Sequence, residues 1–139
     1  MTFQEASDAL PHGFHDAEIE NLTLDYKGRT LSLLMKVLVG APGTVDQEEL
    51  AYLGVRVNEL YFCSIDPPDP NYPFQPDGSA IQVSGDAGLF NSKAEVAELA
   101  SKFPAGIEFY RFFVEQWNSF ICIAGSNVEI SCGSGPNGG

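Results

Sequence analysis

The sequence predicts an α+β domain built on a mainly antiparallel β-sheet, open or curled toward a partial barrel, and covered by one main helix. Three observations predict it. Apolar and polar residues alternate on both sides of the tight turn Lys27-Gly28-Arg29. Short connections join successive strand-like segments, which forces neighbouring strands to run antiparallel. A single strong helical stripe, Val96, Leu99, Ala100 and Phe103, follows the capping-box pattern Ser92-Lys93-Ala94-Glu95 and stops at Pro104 and Gly106.

The elements follow in order. Thr2-Phe3-Gln4-Glu5 has capping-box spacing, and Phe3, Ala6 and Leu10 share one face of a short helix that Pro11 ends. Leu22, Leu24 and Tyr26 alternate with Thr23 and Asp25 as a strand, while Ile19 falls out of register and predicts a bulge near Glu20-Asn21. Thr30 to Gly40 reads as a second strand, with Leu31, Leu33, Met35, Val37 and Val39 on one face and Leu34 and Leu38 on the other. After the loop Ala41–Glu49, the segment Leu50–Ile65 reads as a long strand that changes register between Val57 and Leu60. Five prolines between positions 67 and 76 exclude regular structure there. A short strand is expected over 79–84, the helix over 92–103, and three short meander strands over 107–115, 120–124 and 127–132. The single domain spans 1–133, with 134–139 a flexible tail.

Seven basic residues stand against nineteen acidic ones, a formal net charge of -12. That balance opposes nucleic acid and anionic membrane as partners, since both require a positive surface. It favours solubility and long-range attraction to a basic protein. No apolar run approaches the roughly 20 residues of a membrane span. Met1-Thr2-Phe3-Gln4-Glu5 lacks the basic-then-apolar layout of a secretory signal, so the expected location is the cytoplasm. Cys63, Cys122 and Cys132 have no CxxC spacing. With Gly125-Ser126 as a two-residue turn, Cys122 and Cys132 fall out of register, and all three are expected to be free thiols.

Both histidines lie in Leu10-Pro11-His12-Gly13-Phe14-His15-Asp16-Ala17. His12, His15 and Asp16 offer three ligands for a transition metal, or His15 serves as general base with Asp16 or Asp25 orienting its ring. The structural alternative has His12 closing the turn, His15 packing on the sheet and Asp16 accepting backbone N–H bonds where the strand begins. In the proline loop, Asp66, Asp69 and Asp77 do not match an EF-hand. Tyr72 and Phe74 either form a contact surface with Asp69 or fold back on the core. Phe109-Tyr110-Arg111-Phe112-Phe113 reads as core, with a cavity among Phe109, Phe112 and Trp117 as the ligand-binding alternative. No nucleophile elbow, phosphate loop or cysteine–histidine pairing is present, and no cofactor is implied.

Gly13-Phe14-His15-Asp16-Ala17, followed by a strand ending in Asp25 and a turn into an apolar strand, resembles small uncharacterised bacterial proteins that open with an "FHDA" or "HDS" element. Some of these are similar to immunity proteins of polymorphic toxin systems. The resemblance spans roughly residues 10 to 39, and the proline loop departs from it. It implies no catalytic residues. The leading expectation is a non-enzymatic, acidic interaction domain, immunity-like, that masks a basic protein partner. Its expected contacts are Asp46, Glu48 and Glu49, with Asp69, Tyr72 and Phe74 of the proline loop. The alternative is a small metal-dependent or general-base hydrolase centred on His12, His15 and Asp16.

Overall fold

The computed structural model describes residues 1–40, 43, 49–71, 82–86, 98–99, 101–105, 107 and 109–132, with the side chains of 82–86 excepted. A short helix, α1 (Phe3–Asp8), is followed by β1 (Ala17–Asp25), β2 (Thr30–Leu38), β3 (Leu50–Ile65), β4 (Gln82–Asp86), β5 (Phe109–Val114) and β6 (Ser119–Cys132). The strands form one antiparallel, curled sheet in the order β1-β2-β3-β6-β5-β4. It closes on itself at one short seam, where Ala17 and Glu18 pair with Val83 and Gln82.

Helix α1 forms as its capping box requires. Thr2 Oγ1 accepts from the Glu5 N–H while Glu5 Oε1 accepts from the Thr2 N–H. Its apolar face inserts Phe3 and Ala6 into the core. There Phe3 stacks on Tyr110 with centroids 5.0 Å apart and meets Phe112 edge-on. The inward face of the sheet is supplied by Leu31, Leu33, Met35 and Val37 of β2, Leu53, Val55 and Val57 of β3, and Tyr110, Phe112 and Val114 of β5. The opposite face of β2 is only half-buried at Leu34 and Leu38. β1 carries the expected bulge, the register slipping between Ile19 and Asn21 so that Leu22 turns toward the core.

The closing segment differs from the expected meander. No turn forms at Gly125-Ser126; β6 runs without interruption from Ser119 to Cys132. The physical reason is its partner: β3 is 16 residues long, and β6 pairs with it from Ile65↔Ile121 to Leu53↔Cys132. A hairpin would have left half of β3 without a neighbour on that side. Near the middle both strands bend. β3 has a bulge between Leu60 and Phe62, and a Cβ on Gly125 would stand 2.5 Å from Val57 Cγ1 and 2.6 Å from the Glu59 carbonyl oxygen. Only glycine permits that approach. The three thiols are free, with Cys122 beside Ser64 and Arg111 and Cys132 opposite Leu53.

A second, smaller apolar cluster lies on the outside of the sheet. Phe109 and Ala124 are buried there by Phe62, Leu99, Phe103 and Ile107. Leu99 and Phe103 are the residues of the expected helical stripe; Glu98 and Leu99 are helical, and 92–97 lie outside the described residues. The strand expected over 79–84 is observed as β4, Gln82–Asp86.

Candidate functional site

The chain from α1 to β1 is a run of successive tight turns. The N–H groups of Gly13, His15 and Ala17 donate to the carbonyls of Leu10, His12 and Phe14. Two residues make the run possible by taking left-handed backbone, Gly13 at φ 58° and Asp16 at φ 55°. Phe14 is thereby driven into the core, 1% exposed, against Tyr110 and Phe112. Its N–H donates to Ser7 Oγ. His12 Nε2–H donates to the Gly40 carbonyl at 2.8 Å, pinning the turn to the end of β2; a carbonyl only accepts, so the hydrogen is on Nε2.

His15 does not pack on the sheet. Its side chain is 70% exposed and its Nε2 lies 3.3 Å from Asp16 Oδ2. Among the described residues Asp16 accepts no backbone N–H of the expected kind; it serves the turn by its left-handed φ. His12 and His15 therefore point to different partners. Among the described residues no group of three His, Cys, Asp or Glu side chains is placed to hold a metal ion. Asp25, the other suggested orienter of His15, is occupied at the far end of β1, where its Oδ1 accepts the N–H groups of Lys27 and Gly28. The phrase Gly13–Ala17 is thus chiefly a folding device that seats Phe14 and starts β1.

The expected partner-binding residues divide. Asp46, Glu48, Tyr72 and Phe74 lie outside the described residues. Glu49 is exposed, with its carbonyl accepting from Val39. Asp69 anchors the start of the proline loop: its Oδ1 accepts the Asn71 N–H, its Oδ2 accepts from Asn118 Nδ2, and its own N–H donates to Trp117. The Asn71 N–H, and then Asn118, hold its carboxyl below the ordinary aspartate value. Phe109, Phe112 and Trp117 do not line one common space: Phe109 and Phe112 lie on opposite faces of β5 and belong to separate clusters, with Trp117 packed against that of Phe112.

What the sequence reading missed is a cleft beside the β1–β2 turn. On one side stand Leu24, Tyr26 and Arg29; on the other, Leu60, Tyr61, Phe62 and Cys63 of β3. A neighbouring recess continues it along Gly28, Asn58 and Glu59. The cleft exists because β2 pairs with β3 only as far as Leu31↔Val57, whereas β6 continues to Ile65. The turn is held over β3 by the Leu60 N–H, which donates to the Arg29 carbonyl at 2.8 Å. Two apolar side chains that line this opening stay largely in water: Tyr26 is 75% exposed and Leu24 49%. Burial lifts the Cys63 thiol above its ordinary pKa, with nearby Cys122 adding to the effect, so it sits in the cleft as a protonated, weakly polar group.

The signal in the sequence was the mismatch in strand length. A 16-residue β3 cannot be matched over its whole length by the 9-residue β2. No family model, curated protein or solved structure matches the chain.

Proposed function

We propose that the protein is a non-enzymatic, acidic protein-interaction domain, immunity-like, which binds and masks a basic partner in the cytoplasm. The observation that carries this reading is an apolar cleft lined by Leu24, Tyr26, Leu60, Tyr61 and Phe62, with Leu24 and Tyr26 exposed, on a chain of net charge -12. Scattered apolar side chains on a surface need no explanation, but several gathered at one opening are what a partner covers. The charge supplies long-range attraction and the cleft supplies the apolar contact, the usual division between steering and affinity. The resemblance of Gly13–Ala17 to immunity-like proteins supports the same reading. Glu49 and Asp69, with Asp46, Glu48, Tyr72 and Phe74, are the further contacts in this proposal. The helix expected over 92–103 belongs in it as the cover of the outer cluster around Phe109.

The hydrolase alternative rests on His15 and Asp16, an exposed pair that no third His, Cys, Asp or Glu joins as a metal-binding group among the described residues. A His15→Ala variant that acts in cells like wild type removes it.

Partner recovery tests the main reading. The domain is used to capture proteins from a lysate of its source organism at low ionic strength, beside a Tyr26→Ser variant. A basic protein retained by wild type and lost from the variant is the expected result. Equal retention by both, or no basic protein at all, overturns the reading.

A further inference from the structure

The cleft has a floor that side chains alone do not explain. Beyond Val57, β3 is paired with β6 alone among the strands of the described residues. The Asp66 N–H donates to the Phe120 carbonyl, and the Ser64↔Cys122 pair lies two residues along the same ladder. In an antiparallel ladder the residues between such pairs direct N–H and C=O away from the partner strand. Cys63 and Ile65 therefore present their backbone groups to the opposite edge, the side on which Leu60 meets Arg29. Among the described residues no strand pairs with that edge. Pro67 and Pro68 follow immediately and confine it to a short stretch, a common way of limiting unwanted sheet growth.

Resting on the interaction-domain reading above, we infer that this edge is the docking site for an extended segment of the basic partner, which joins β3 as an added strand. Backbone pairing to Cys63 and Ile65 gives the segment its register, and its alternate side chains enter the apolar cleft beside Leu24 and Tyr26. The remaining side chains meet the acidic surface of the chain, beginning with the exposed Glu59 of the adjoining recess; Arg29 also lines the cleft. The complementary segment alternates apolar and basic residues. The same charge argues against a second copy as occupant, since two chains of net charge -12 repel one another.

Ile65→Pro is the discriminating variant. Its ring removes an N–H that the β3–β6 ladder does not use, and proline is tolerated at such an edge position. Random peptides displayed on phage are selected against the wild-type domain at low ionic strength, and the enriched peptides are titrated into both proteins. Amide hydrogen exchange at Cys63 and Ile65 is followed in wild type with and without peptide. The expected result is enrichment of alternating apolar–basic peptides, binding weakened about tenfold or more by Ile65→Pro, and slowed exchange at both amides on binding. Basic peptides that bind both proteins equally, with exchange unchanged, overturn strand addition and leave the acidic-domain reading standing. Enrichment of acidic peptides, or of none, overturns both. Amides that become protected in free wild type as its concentration rises make a second copy the occupant and overturn the inference. If Ile65→Pro does not fold, the exchange measurement on wild type decides the matter alone.

Discussion

Leu60 and Arg29 are joined across the cleft by a backbone hydrogen bond of 2.8 Å. It is the last link between the β1–β2 hairpin and β3 before the two diverge, and it uses the N–H at the bulge of β3. On the other side of the same bend lies Gly125, whose missing side chain lets β6 approach Val57 and Glu59. Gly125→Ala places a methyl group against Val57 Cγ1 and the Glu59 carbonyl, and β3 and β6 must separate. Urea unfolding is expected to show a loss of about 1–3 kcal/mol, the usual range for overpacking a tight site.

Phe14 and His15 are neighbours with opposite roles. Phe14 is 1% exposed and His15 is largely in water. Phe14→Ala is expected to cost about 3–5 kcal/mol, and His15→Ala to stay within about 0.5 kcal/mol of wild type. Comparable destabilisation by the two variants would show that the histidine has a structural partner beyond Asp16.

The backbone of the strands and the capping box of α1 were legible because each rests on local pattern. Ile19 out of phase with Leu22 and Leu24 marks a bulge, and the bulge is there. The continuity of β6 was not legible. Gly125-Ser126 has good turn chemistry, but the glycine serves a close strand approach, and only the length of β3, distant in sequence, decides between the two. His12 and His15 stand three residues apart in sequence, but with left-handed Gly13 between them the rings meet different partners, the Gly40 carbonyl and Asp16. The cleft was hidden for a related reason: it arises from where β2 stops, which no single segment encodes.

Asp69 ties the start of the proline loop to Asn71, Asn118 and Trp117. Its folded pKa lies below the ordinary value, so it contributes stability above the unfolded pKa of about 4. That contribution is lost as the pH falls through the folded value. Asp69→Ala is expected to melt below wild type at neutral pH, with the gap narrowing as the pH drops below about 4. A gap that is constant across this range would mean that the carboxylate charge is not what holds the loop.

The thiols are expected to differ in reactivity. Cys132 is exposed, Cys122 is buried, and Cys63 has its pKa raised by burial. Mass spectrometry after brief iodoacetamide treatment at neutral pH should find Cys132 alkylated first. Cys63 should follow only as the pH rises, because the thiolate is the reacting form. Early alkylation of Cys63 would place it in a more open setting than the cleft provides.

Recognition of a basic partner is read most directly from the ionic-strength dependence of affinity for the captured protein, measured by titration calorimetry on the wild-type domain. An acidic domain that recognises a basic protein should bind a partner of net positive charge, and its Kd should rise steeply as salt screens the attraction. A partner of net negative charge, or a Kd indifferent to salt, would contradict it.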